Sequence, residues 1–166
     1  MNPLMTLGLS AACVLAAGPV LAQTPEAIAV PGEHAVATLH AEGAQIYECV
    51  TDNAGKLAWR FREPIATLLA DGKTVGRHYA GPNWEIGDGS IVTAKLAARA
   101  PGVSAADIPL LKLDVTAQRG SGQLSGVTTI QRLNTKGGTA DGPCQTAGAF
   151  LSVPYSADYA FFRKGG

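Results

Sequence analysis

From Pro31 onward the chain alternates apolar with polar residues over short runs, and clusters of Gly, Pro, Asp, Asn and Ser separate the runs. A period of two marks half-buried strands, whereas a helix packed on one side repeats about every 3.6 residues. The clearest run is 56–62, where Leu57, Trp59 and Phe61 fall on one face and Lys56, Ala58, Arg60 and Arg62 on the other. Residues 44–51 read as a preceding strand. Asp52-Asn53-Ala54-Gly55 supplies a turn whose residues tolerate positive φ, so the two runs form a hairpin. Further strands are expected at 75–80, 90–98, 110–118, 124–133, 147–153 and 155–162. Within them Leu111, Leu113, Val115 and Ala117 share a face, as do Tyr155, Ala157, Tyr159 and Phe161. No long helical pattern occurs; 64–70 and 105–107 are candidates for one or two short helical turns. The fold class is therefore all-β, an antiparallel barrel or two-layer sandwich of about eight short strands. Gly, Ala and Thr on several faces favour the barrel, whose interior side chains need not fill completely.

Pairing Thr51 with Lys56 across the first hairpin puts Ile46, Glu48 and Val50 on the face of Phe61, Trp59 and Leu57. Glu48 then faces the apolar side, where a carboxylate must be paired or protonated. A one-residue slip or a bulge turns Glu48 outward and Tyr47 inward, and both registers stay open.

Residues 1–22 read as a signal peptide: they carry no charged side chain, the apolar run 7–17 is too short to span a bilayer, and Val20 and Ala22 suit cleavage after Ala22. The expected basic residue near the start is missing, and lipidation at Cys13 is a competing reading. Residues 23–31 are expected as a flexible arm, 32–166 as a single β domain with no membrane span, and the mature protein as periplasmic or secreted. Export leaves Cys49 and Cys144, an even count that in an oxidising compartment points to one disulfide. Net charge is zero, with 13 basic and 13 acidic residues, which argues against a nucleic-acid partner because phosphate binding draws on excess Lys and Arg.

The densest chemistry runs from Gly76 to Glu85 and on to Asp88-Gly89-Ser90, where an imidazole, a guanidinium, aromatics and carboxylates gather around a Gly-Pro turn. The leading expectation is a small-molecule pocket lined by Tyr47, His78, Trp84, Glu85 and Arg132, an aromatic wall with a few polar groups. A second is an enzyme using His78 with Glu85 or Asp88 as acid and base. A third is a structural or interaction module of the cell envelope, with these residues serving turns and core hydrogen bonds. A cavity with His78 and Glu85 facing in favours the first two; a filled core with His78 bonded to backbone favours the third. No metal or cofactor is expected: His34, His40 and His78 form no short pair, and no Cys-x-x-Cys, Gly-x-Ser-x-Gly or phosphate loop occurs. Arg60, Arg62, Arg77 and Arg132 sit on expected strands, where a converging pair would suit a carboxylate or phosphate ligand, although Arg60 and Arg62 read better as solubilising surface.

The series Gln45-Ile46-Tyr47-Glu48-Cys49, Trp59-Arg60-Phe61, Gly76 to Glu85, Asp88-Gly89-Ser90, Ile130 to Gly138 and Pro154 to Tyr159 resembles a secreted bacterial and fungal family catalogued as domain of unknown function 3455. The likeness runs from about Ile28 to Phe162. It implies one secreted domain and no established activity. Some relatives carry a dehydrogenase label, but this chain has neither Gly-x-Gly-x-x-Gly after a strand nor alternating strands and helices. It departs from the family pattern at Leu110, where a tryptophan is expected after the proline.

Overall fold

Eight strands follow one another as an antiparallel meander: β1 (Glu33–Thr51), β2 (Leu57–Ala70), β3 (Lys73–Tyr79), β4 (Asn83–Ile86), β5 (Ile91–Ala100), β6 (Leu110–Arg119), β7 (Thr129–Gly137) and β8 (Phe150–Lys164). The computed structural model describes residues 24–165; the expected signal peptide, its cleavage after Ala22, and Cys13 lie outside the described residues. Each strand pairs with the next and β8 returns to β1, so the sheet closes into a barrel. Closure leaves neither edge of the sheet without a neighbouring strand.

The first hairpin shows how local chemistry sets the register. Asp52 Oδ1 accepts the N–H groups of Ala54 and Lys56, both at 2.8 Å, and Gly55 takes φ 77°. This Asx turn consumes Lys56, so Thr51 pairs with Leu57, Cys49 with Trp59 and Tyr47 with Phe61. The Thr51–Lys56 pairing is thus corrected by one residue: Tyr47 and Cys49 face inward, and Glu48 points out to Arg62 at 3.3 Å. Leu57, Trp59 and Phe61 do share the interior face, but near the open end, so Trp59 is only half-buried and Phe61 is 49% exposed.

A bulge follows, because Ile46 pairs with Glu63 while Tyr47 pairs with Phe61, leaving Arg62 as the extra residue. It hands the interior from Phe61 to Pro64, Ala66 and Leu68. Residues 64–70 are therefore strand, correcting the expected helical turn; Pro64 is accommodated beside the bulge. Residues 105–106 form a turn held by Asp107, which accepts from Ser104 N and Oγ at 2.9 and 2.8 Å. The one helical turn among the described residues is 3-10, Glu26–Ile28. It lies in the segment expected as a flexible arm, yet Ile28 is fully buried outside the interior cluster, and its carbonyl accepts Gln131 Nε2 at 2.6 Å.

Two further expectations shift. Residues 150–153 and 155–162 join in β8, because Pro154 lies one residue past the last β7 pairing, where no N–H is needed; 147–149, expected as strand, belong to the preceding turn. The run 124–133 becomes strand only at Thr129; before it, Leu124 and Val127 are buried beneath the turn. Leu111, Leu113 and Val115 point inward as expected, but a bulge at Thr116 pairs Ala117 with Thr93 and leaves it exposed, a correction to the expected face. Tyr155, Ala157, Tyr159 and Phe161 all point inward and are at most 5% exposed.

A glycine lets β1 and β2 approach closely at mid-barrel. Gly43 stands opposite Ala66 and Tyr155, and a Cβ there would meet Ile65 O and Ala66. Gly43→Ala is expected to cost about 1–3 kcal/mol by overpacking. Urea denaturation would check this, and a variant as stable as the parent would contradict the close approach.

Candidate ligand-binding cavity

At the end of the barrel beyond Gly43 the interior widens into a cavity of about 510 Å³, within the range of small-molecule sites. Alternation along β3 turns His78 inward and leaves Arg77 outside. Its register partner on β4 is Trp84, and the two rings stack at 4.3 Å with 13° between planes. Tyr159 of β8 closes the group, tilted to His78 at 4.9 Å and edge-on to Trp84 at 5.2 Å. The tight turn at Gly81 is braced by Asn83, whose Nδ2 donates to Ala80 O and whose Oδ1 accepts Thr93 Oγ1.

Asn83 also sets the histidine. His78 Nδ1 lies 2.8 Å from Asn83 O; a carbonyl only accepts, so Nδ1 carries the proton. Nε2 is then a lone-pair acceptor for which no protein donor is found among the described residues. Burial pushes the pKa down from 6.5 to about 4; the Asn83 carbonyl opposes this and Arg132 adds to it. His78 is therefore neutral at pH 7. Burial also raises the pKa values of Tyr47, Tyr155 and Tyr159, so these phenols stay protonated. Tyr155 and Tyr159 approach each other at 3.5 Å through their hydroxyls.

Tyr47 donates to Gly138 O at 2.7 Å and ties the loop after β7 to the cavity wall. Arg132 reaches the cavity from β7, its Nε donating to Pro109 O at 3.0 Å. Trp84 Nε1 is buried in the wall with no acceptor among the described residues. An unmade bond of this kind costs about 1–3 kcal/mol.

Four of the expected pocket residues, Tyr47, His78, Trp84 and Arg132, thus come together. Glu85 does not, because it follows the inward Trp84 on a strand and so faces out. There it accepts Arg77 Nη2 at 2.9 Å and the Tyr79 hydroxyl at 3.0 Å. Arg77 chiefly, then Tyr79, holds its pKa below the usual carboxylate range. No strand was expected at 83–86, where β4 lies, and this hid the alternation. Asp88 sits in the turn at the opposite end and is occupied by Ser90 N, Ser90 Oγ and Gln123 N at 2.9, 2.6 and 2.6 Å. The expected pairing of His78 with either carboxylate is therefore not formed. His78 combines both anticipated signs, a cavity position and a backbone bond.

The sequence reading missed Tyr159, Leu111 and Arg99 as cavity residues. Alternation had put the first two on inner faces, but nothing local marked Arg99. His40 bonds Asp158 at 2.7 Å on the outer face. No group of His, Cys, Asp or Glu suited to a metal ion occurs among the described residues.

The motifs on these strands carry a family signature, and the profile of one family matches residues 30–163. The chain belongs to the DUF3455 family. Its members are described as proteins of unknown function. No curated protein and no solved structure matches the chain. Within this DUF3455 domain the matched span takes in β1 and all but the last residue of β8, so cavity and disulfide alike fall inside the shared region.

Proposed function

We propose that the protein is an exported small-molecule-binding domain whose ligand enters the open end of the barrel and rests against His78, Trp84 and Tyr159. The observation that carries this reading is the cavity of about 510 Å³ walled by aromatic rings and by Arg99 and Arg132. Apolar walls supply affinity and a few fixed polar groups orient the ligand. Export is supported by the bond between Cys49 and Cys144, since disulfides persist in oxidising compartments. The barrel also has no helix long and apolar enough to cross a membrane among the described residues.

The test uses N-phenyl-1-naphthylamine, an apolar dye that brightens on leaving water. One saturable site per chain is expected. Leu111→Trp, which projects bulk into the cavity, should weaken binding by about tenfold or more while leaving the fold intact by circular dichroism. Absence of saturable binding, or binding indifferent to Leu111→Trp, would overturn the reading and favour an envelope interaction role. Intact-mass spectra of the purified protein should show a chain beginning at Gln23; a retained leader would contradict export by cleavage after Ala22.

A further inference from the structure

The charges of the cavity wall are all of one sign. Arg62, Arg99 and Arg132 line it and no carboxylate does. Arg62 is already neutralised by Glu48 at 3.3 Å and Glu63 at 3.2 Å. Arg99 and Arg132 have no carboxylate within ion-pair distance among the described residues. We infer that the cavity is built for a small organic acid: an anionic group held by Arg132 and Arg99, on a flat apolar body laid along Trp84 and Leu111. The inference rests on reading the cavity as a ligand site and adds the class of ligand.

Register makes the two guanidiniums act together. Arg99 pairs with Leu111 across β5 and β6, Leu111 pairs with Arg132 across β6 and β7, and Arg132 pairs with Tyr159 across β7 and β8. The four residues form one row on the inner wall. Strands two apart are about 9–10 Å from axis to axis, a gap that two long arginine side chains span toward a single acid group. Arg132 spends Nε on Pro109 O and its guanidinium also meets the Tyr159 hydroxyl, which orients the side chain and leaves its remaining terminal N–H groups for a ligand; guanidinium presents such donors as a planar fork matched to a carboxylate. His78 adds no charge of its own at neutral pH. A partly enclosed site with walls of low dielectric concentrates the field of unpaired cations and raises the local concentration of anions.

Three probes that share one ring system separate the possibilities: 2-naphthoate, 2-naphthalenemethanol and 2-naphthylmethylammonium, titrated by calorimetry at low salt. The acid is expected to bind about tenfold or more tighter than the alcohol, and the ammonium weakest, since a charged hydrogen bond exceeds a neutral one by about that factor. Added salt should shrink the preference. Arg132→Gln should bring the acid-to-alcohol ratio close to one, Arg99→Gln should lower it partly, and Arg132→Lys should keep a reduced preference because the charge remains without the fork. Arg60→Gln, on the outer face beside Glu48, should leave the ratio unchanged. Should Arg132→Gln fail to fold, Arg99→Gln and Arg132→Lys still decide the matter. Saturable binding of acid and alcohol with equal affinity, or a preference that survives both Arg132→Gln and Arg99→Gln, would overturn the anion assignment and leave the cavity reading standing. Failure of all three probes to bind would remove both.

Discussion

Replacing Cys49 and Cys144 together by serine lowers the free energy of unfolding by about 4 to 5 kcal/mol, the chain-entropy value for cutting a loop of about a hundred residues. The bond joins positions 95 residues apart. Much of the surrounding native structure does not depend on it. Gly148 N donates to Cys49 O and Cys49 N to Ala149 O, both at 2.9 Å, while Trp59 N donates to Gly142 O at 3.2 Å. These contacts keep the loop 142–149 seated beside β1 and β2 in the folded state, so the loss arises chiefly from the freedom regained by the unfolded chain. Cys49 is 1% exposed, and a buried serine hydroxyl at that position adds to the cost. A domain of this size has about 5 to 15 kcal/mol in all, so the double variant should melt far below the parent. Urea titration of parent and variant measures the difference, and a gap under about 1 kcal/mol would refute the expected dependence on loop closure. The denatured, unreduced parent should show no titratable thiol at either position.

Acidification from pH 7 toward pH 4 costs the fold about 3 kcal/mol through His78 alone. In the unfolded chain the imidazole takes up a proton near pH 6.5, whereas in the barrel it resists until about pH 4. Below pH 6.5 the unfolded state therefore binds more protons than the native state, and stability falls as pH falls. The contribution is fully present above pH 6.5 and is lost progressively down to about 4. Arg132 and the buried phenol of Tyr159 face the ring and cannot neutralise an imidazolium; the Asn83 carbonyl favours it but does not outweigh burial. The carboxylates with lowered pKa, Glu85, Asp88 and Asp107, lose their contributions from their ordinary range near 4 downward, in more acid solution. His78→Phe keeps a ring against Trp84 and removes the titration. The variant should be offset from the parent by a constant amount for the orphaned Asn83 carbonyl, and its stability should be nearly flat between pH 6.5 and 4.5. A parent already flat over that interval would mean that the imidazole is not held neutral by burial.

The sheet-only fold was legible because alternation is a local property. Tyr155, Ala157, Tyr159 and Phe161 had to share a face whatever they packed against, and they do. The pairing of Cys49 with Cys144 was legible from their even number, and the crowding of His78 and Trp84 beside a turn from their position in the chain. Other features depended on the detail of a turn or on neighbours distant in sequence. Register in the first hairpin was set by a five-residue Asx turn, and the bulge at Arg62 then exchanged the two faces of β2, so Pro64–Ala70 ran on as strand. Glu85 was a partial case. Its exclusion from the cavity follows from alternation with Trp84, but only once 83–86 is known to pair on both sides with β3 and β5.

What the sequence determined by itself, then, was which residues must lie on the same side of a strand and how strands are punctuated. Only the closed barrel decided which side is interior and who stands beside whom. Arg99, Leu111, Arg132 and Tyr159 come from four strands and share no local motif. They meet in one row because hydrogen-bond register links strands sideways, and that register is set by turns, bulges and ring closure, whose energies depend on partners that no short stretch of sequence contains.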